Sequence, residues 1–170
     1  PVTQVPVTQV QATKMQAIVY HNYGSPDVLK LEEVQKPVAQ EGQILVKIVA
    51  ASAAAGDWHL LHADPFPARF MYGFFTPKYK ILGAAVAGRV EAVGKNGRQF
   101  KVGDGVYGDL SLSGFGGFAE YVAAAESAFA LKPVNLTFEE AATVTVSGVT
   151  ALLGLTNHGP IQPGQKVMIY

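Results

Sequence analysis

Two histidines and two aspartates stand close together between residues 57 and 64. His59 and His62 are three residues apart, a spacing that places two side chains on one face of a helix. Asp57 or Asp64 would add a carboxylate ligand. A complete metal site needs further ligands at matching spacing, and the sequence supplies no second pair. A metal site at these residues is therefore the weaker hypothesis.

A second group of residues that could form a functional site is the aromatic run PFPARFMYGFFTPKYK, residues 65–80. Its prolines remove backbone donors and fix φ, so over residues 56–80 we expect one short helical turn followed by an irregular loop. Aromatic side chains here would suit an apolar pocket for a flat substrate, although such residues more often fill a core. The candidates for this pocket are Phe70, Tyr72, Phe74 and Phe115.

The composition excludes several classes of function. The chain of 170 residues has no cysteine, which rules out disulfides, thiolate nucleophiles and cysteine-ligated zinc. Its 13 basic and 13 acidic residues cancel, so no positive field attracts a nucleic acid or an anionic membrane. No apolar run approaches the ~18 residues of a membrane span. We expect a protein of a reducing compartment with neither kind of partner.

Alternating and β-branched apolar runs predict a chain made mostly of β-strands. Residues 1–14 contain the direct repeat PVTQV and are set aside as a disordered leader. Glycines at 83 and 88 predict bends in the strand that contains them. The predicted strands are 15–20, 28–34, 44–52, 81–94, 102–108, 118–124 and 165–170.

Helical signals concentrate near the end of the chain. Thr137 and Glu140 have the spacing of a capping box, so a helix is predicted to begin near Phe138. The β-branched residues of AATVTVS weaken this helix, and a second helical stretch is predicted over 147–155.

Several segments, taken in order, resemble one known superfamily. They include ILVKIVAAS (44–52), ILGAAVAGRVEAVG (81–94), LKPVNLTFEEAA (131–142) and IQPGQKVMIY (161–170). Their order and spacing resemble the medium-chain dehydrogenases/reductases, in particular the zinc-free quinone oxidoreductase and enone reductase branches. The resemblance covers residues 15–170.

The resemblance implies a mostly β fold in which residues 15–132 form a GroES-like, partly open β-barrel. Residues 133–170 would be bridging helices followed by the first strand of a truncated Rossmann domain. In such relatives a glycine-rich turn after that strand receives the cofactor pyrophosphate. The main NADPH site is therefore expected beyond the chain end. The glycine cluster 114–117 has no helix after it and is predicted to be a loop.

The function implied by the resemblance is NADPH-dependent hydride transfer to a quinone or an α,β-unsaturated carbonyl, without a metal. Zinc-binding branches carry ligands where this sequence has Ala54, Ala84 and Ala85. A chain ending at Tyr170 is expected to be inactive by itself, and the complete protein to be cytoplasmic and compatible with a homodimer. The alternative is a non-enzymatic GroES-like module, co-chaperonin-like or crystallin-like.

The resemblance also assigns site residues, although it identifies no catalytic acid. Asp57, Trp58 and Thr150 would face the cofactor. Asp57 has a structural alternative as a helix-start residue stabilised by the dipole, and Thr150 as a helix-interior residue that bonds a preceding carbonyl. The proton donor is left open between Tyr72, a histidine and solvent. The predicted substrate pocket consists of His59, Phe70, Tyr72 and Phe115.

Overall fold

The computed structural model of the protein describes residues 14–157, 161–162 and 164–168. Strands dominate this part of the chain, which confirms the predicted mostly β architecture. The sequence predicts all of them except β7, whose three residues are too few to show alternation. The strands are β1 (Lys14–Val19), β2 (Lys30–Gln35), β3 (Gln43–Ser52), β4 (Ala85–Val93), β5 (Gly105–Asp109), β6 (Tyr121–Ala125) and β7 (Phe129–Leu131).

The strands form two antiparallel sheets. β1 pairs with β2, and the other strands follow the order β6-β3-β4-β5-β7. β3 is ten residues long and pairs with β4 on one side and with β6 on the other. Isolated bridges from Ala17 to Ala119 and from Val19 to Ile81 join the small sheet to the rest. Within the described residues no strand pairing closes the sheets, so the barrel is partly open as predicted.

The core lies under the large sheet and is built from aliphatic side chains. Burial alternates along β1, as expected for a strand with one face against the core. Full burial of one such side chain stabilises the fold by about 1.5–3 kcal/mol relative to its exposure. The largest fully buried aliphatic side chains are Ile44, Val46, Val86, Val90, Val106 and Leu110.

Two short helices follow β3 and two more follow β7. They are α1 (Ala55–His62), α2 (Arg69–Tyr72), α3 (Phe138–Thr143) and α4 (Val149–Thr156). In the part of the chain that the structure describes, no helix has the length and apolar character needed to cross a membrane.

The capping box predicted at the start of α3 is confirmed. The Glu140 N–H donates to Thr137 Oγ1 at 3.1 Å, and the Thr137 N–H donates to Glu140 Oε2 at 2.8 Å. α3 packs on the sheet through Ala141 and Ala142, which bury against Ala87 of β4. Small side chains therefore let this helix approach the sheet closely.

The predicted weakening after α3 is also observed. Residues Val144–Gly148 form a π-helical turn between α3 and α4. Its β-branched residues lose rotamer freedom against the preceding helical turn, which disfavours regular α-helix.

Two predictions near the chain ends are corrected. Lys14 belongs to β1, where it lies opposite Gln35, and not to a leader; residues 1–13 lie outside the described residues. The strand predicted at 165–170 is absent over 165–168, and residues 169–170 lie outside the described residues. A strand needs a neighbour for its N–H and C=O groups, and no described segment pairs with 165–168.

The carboxylate of Asp57 links α1 to the segment that leads into β4. Its Oδ2 accepts the Ala54 N–H at 2.9 Å, and its Oδ1 accepts the Gly83 N–H at 2.9 Å. The side chain is only 7% exposed. Ala54 has no side-chain acceptor with which to cap the helix, so this tertiary contact fixes where α1 begins and which way it runs.

We expect Asp57→Ala to lower the free energy of unfolding by about 2–4 kcal/mol, because it leaves two N–H groups without their acceptor. Urea unfolding of the purified protein measures the change. Asp27→Ala is the matched control, since Asp27 is exposed and its carboxylate accepts, among the described residues, a hydrogen bond only from Ser25. Its effect should stay below about 0.5 kcal/mol. Equal losses in the two variants would show that Asp57 is not an anchor.

Gly88 is required by the close approach of β3 and β4. A Cβ atom at this position would lie 2.2 Å from the Lys47 carbonyl oxygen. We expect Gly88→Ala to destabilise the fold by about 1–3 kcal/mol or more. Gly154, in α4, has open space around it, so Gly154→Ala should stabilise by about 0.5–1 kcal/mol. Thermal unfolding compares the two, and a neutral Gly88→Ala would refute the steric argument.

Candidate functional site

A cavity of about 390 Å³ lies beside α1. Its walls come from α1, from the turn and α2 that follow it, and from the loop after β5. The lining residues are Gly56, His59, Leu60, Asp64, Pro65, Ala68, Tyr72, Ser111, Leu112 and Phe115.

One face of α1 forms the first wall. Gly56, His59 and Leu60 are spaced by three and four residues, so their positions lie above one another on the helix. Asp57 fixes this helix from its other side, through the contact with Gly83. The helix therefore reaches the cavity with a small residue, an imidazole and a leucine in fixed positions.

The imidazole of His59 has a defined tautomer. Its Nδ1 lies 2.9 Å from the Asp64 carbonyl oxygen. A carbonyl oxygen only accepts hydrogen bonds, so Nδ1 carries the proton. In the neutral ring, Nε2 is consequently the unprotonated nitrogen, and no described residue forms a hydrogen bond with it.

Aromatic rings form the opposite wall. Tyr72 and Phe115 lie 6.3 Å apart between centroids, and Tyr79 lies 5.3 Å from Phe115. Phe115 is buried and has a φ of 65°. This left-handed conformation, unusual for a bulky residue, turns its ring into the cluster.

Tyr23 and Arg69 hold α2 in place. The Tyr23 hydroxyl lies 2.9 Å from the Tyr72 carbonyl oxygen and 2.7 Å from that of Gly73, and it donates toward both. Burial raises the pKa of Tyr23, while the Arg69 guanidinium, 4.9 Å from its ring centroid, partly offsets the rise. The phenol therefore stays protonated and keeps donating to the end of α2.

Three of the four predicted pocket residues line this cavity. They are His59, Tyr72 and Phe115. Phe70 does not line it: its side chain is 74% exposed and packs against Phe66 and Phe74. Residues two apart in a helical turn point to nearly opposite sides, so Phe70 and Tyr72 cannot both face one cavity.

The three residues assigned to the cofactor do not line the cavity. Asp57 is buried, with both oxygens bonded to backbone N–H groups. Trp58 is half exposed, and Thr150 is exposed on α4. The structural alternative for Thr150, a hydrogen bond to a preceding carbonyl, is not formed among the described residues. The structure thus gives Asp57 a structural role, while Trp58 and Thr150 remain accessible.

The two histidines of α1 face different surroundings. His62 Nδ1 donates to the Trp58 carbonyl at 2.9 Å, and its ring stacks on the Trp58 indole at 4.3 Å. Only His59 lines the cavity. Within residues 14–157, 161–162 and 164–168, no three His, Asp or Glu side chains are grouped to hold a metal ion.

Sequence reasoning missed the wall contributed by the loop after β5. Ser111 and Leu112 reach the cavity because the loop folds back: the Leu110 N–H donates to the Ala84 carbonyl at 2.8 Å. Asp109 accepts from Ser111, a turn that the Asp and Ser types indicate locally. Nothing in this local pattern shows which part of the chain the turn will contact.

The glycine cluster 114–117 does not fit a pyrophosphate. A Cβ on Gly117 would lie 2.6 Å from Val86 Cγ1 and 2.8 Å from the Gly83 carbonyl oxygen. Close packing between segments therefore accounts for this glycine, and no helix follows the cluster. The loop predicted here is confirmed.

Comparison with known proteins agrees with this architecture. The model of the alcohol dehydrogenase GroES-like domain matches residues 40–135. This match covers more than half of the chain and includes α1, α2 and every strand of the large sheet.

Two curated relatives are a reductase and an oxidoreductase by name. The chain is 39% identical over 161 residues to 2-methylene-furan-3-one reductase of Solanum lycopersicum, covering 88% of this chain and 39% of the relative. It is 39% identical over 151 residues to NADPH-dependent alkenal/one oxidoreductase of Arabidopsis thaliana, covering 82% of this chain and 36% of the relative. The chain therefore spans less than half the length of these relatives.

A solved structure shows the same fold. The quinone oxidoreductase from Coxiella burnetii matches with a TM-score of 0.77 and 30% sequence identity, over 85% of this chain and 45% of that chain. The relatives, the domain model and the solved structure agree on the family of this chain. The chain belongs to the alcohol dehydrogenase GroES-like domain family of the medium-chain dehydrogenase/reductase superfamily, and a quinone oxidoreductase and an alkenal/one oxidoreductase are among the proteins to which it is similar.

Proposed function

We propose that the complete protein is an NADPH-dependent oxidoreductase that transfers hydride to a quinone or an α,β-unsaturated carbonyl without a metal. The observation that carries this proposal is the cavity beside α1, which combines an aromatic wall with one imidazole. The names of the two plant reductases and of the bacterial quinone oxidoreductase support it. They favour an enzyme over a non-enzymatic GroES-like module.

The cavity suits a small, flat, weakly polar substrate. Its volume of about 390 Å³ lies within the range of roughly 300–1,000 Å³ typical of small-molecule sites. Tyr72 and Phe115 offer ring faces and edges to a conjugated system. Leu60 and Pro65 add apolar surface, so water is displaced when the substrate enters.

The nicotinamide cofactor supplies the hydride when it is bound. Of the residues assigned to it, Trp58 and Thr150 are exposed enough for direct contact. We propose that Asp57 serves the cofactor indirectly, by holding α1 and therefore Trp58 in place. We propose that the residues that bind the pyrophosphate lie outside the described part of the chain.

Metal independence is proposed from the residue types at the positions where zinc relatives carry ligands. Ala54 and Ala84 have no donor atom, and the chain has no cysteine. Polarisation of the substrate carbonyl must then come from hydrogen bonds. We also propose that the enzyme is cytoplasmic, acts on small molecules and is compatible with a homodimer. Its balanced charge supports the proposal that it binds neither nucleic acid nor membrane.

Filling the cavity should impair turnover. We expect Ala68→Trp to lower kcat/KM for NADPH-dependent reduction of an enone by roughly tenfold or more in the complete protein, because the indole occupies substrate space. Ala130→Trp is the matched control: Ala130 is exposed on β7, outside the cavity, and should keep the original kcat/KM. Equal activity in both variants would show that the substrate binds elsewhere.

The complete protein should contain no stoichiometric zinc. Elemental analysis after gel filtration is expected to find far less than one zinc per chain, and treatment with a chelator should leave reductase activity unchanged. One equivalent of zinc, lost together with activity on chelation, would overturn metal independence.

A further inference from the structure

The geometry points to His59 as the acid that protonates the reduced substrate, an inference that rests on the proposed function. Hydride added to the β carbon of an enone leaves an enolate, and the product forms only when a proton reaches the α carbon. Protonation at carbon by water is slow, so a positioned acid accelerates it, typically by about 10²–10⁴-fold.

Few groups at the cavity can give up a proton. The titratable and hydroxyl-bearing side chains that line it are His59, Asp64, Tyr72 and Ser111. An ionised carboxylate such as that of Asp64 only accepts hydrogen bonds. The Ser111 hydroxyl already donates to Asp109 at 2.6 Å. A phenol is a far weaker acid than an imidazolium, which leaves His59 as the best matched donor near neutral pH.

The contact with Asp64 decides which ring nitrogen of His59 donates the proton. Since Nδ1 donates to the Asp64 carbonyl in both charge states of the ring, Nε2 is the atom that gains and loses the proton. No described residue competes for Nε2 by hydrogen bonding. The same contact holds the ring in one orientation on α1, whose position Asp57 fixes.

The step balances with a nicotinamide hydride donor as the reductant. Hydride brings two electrons to the β carbon, and the π pair of the C=C bond moves to form the enolate. The Nε2–H bond of the imidazolium breaks, its proton forms the new C–H bond at the α carbon, and neutral imidazole remains. Uptake of one proton from the solvent then restores the imidazolium. A reduced quinone needs its proton on oxygen, where water delivers it readily.

His62 provides a matched control on the same helix. Its Nδ1 bonds the Trp58 carbonyl, just as His59 Nδ1 bonds the Asp64 carbonyl. The His62 ring, however, stacks on Trp58 and does not line the cavity. His59→Gln and His62→Gln remove the same titratable group from two neighbouring positions. Any effect of lost helix stability should therefore be similar in the two variants.

In the complete protein with NADPH, His59→Gln should lower kcat for an α-methyl cyclic enone by about 10²-fold, and kcat for a quinone much less. Wild-type kcat for the enone should depend on pH through the charge of the imidazole, and the variant should lose this dependence. The facial selectivity of protonation at the α carbon should also be lost. His62→Gln should match the wild type in all three respects.

A measurement without cofactor separates this inference from a structural effect. Nitrogen-15 NMR of the apoprotein should show the Nδ1–H tautomer at His59 and a change in its Nε2 resonance when the enone is added. His59→Ala, with solution imidazole restoring kcat for the enone, gives a second test. A His59→Gln variant with wild-type kcat, pH profile and selectivity would overturn the inference alone. A wild-type protein that reduces neither substrate would overturn the proposed function and the inference with it.

Discussion

The buried carboxylate of Asp57 is the contact on which the candidate site depends. It accepts one N–H from the start of α1 and another from Gly83, so a single side chain joins the helix to the entry of β4. α1 begins at alanines that cannot cap it, and its eight residues are too few to be stable alone. The sheet therefore orients the helix, and the helix orients His59.

Gly83 is the other half of this arrangement. Its φ of 95° lies in the region that favours glycine, and its carbonyl accepts the Gly117 N–H at 2.9 Å. A Cβ on Gly83 would lie 2.8 Å from the Phe118 nitrogen. One backbone position thus meets α1 through its N–H and the segment before β6 through its carbonyl. The wall near Phe115 is consequently built on the same framework as the helix that carries the imidazole.

The alanines at positions 54 and 84 offer the cavity no polar side-chain atom. Both residues act through their main chains. The Ala54 N–H donates to the Asp57 carboxylate, and the Ala84 carbonyl accepts from the Leu110 N–H. A site of this kind depends more heavily on how firmly its hydrogen-bonding side chains are held.

The sequence by itself determined the features that depend on local pattern. Alternation of apolar residues indicated the strands, and the spacing of Thr137 and Glu140 located the start of α3. Residue types also excluded cysteine chemistry. Only the tertiary structure brought Ser111 to the cavity that His59 lines and gave Asp57 a partner 26 residues away. Such contacts join distant segments, and the composition of each segment contains no record of which other segment it will meet.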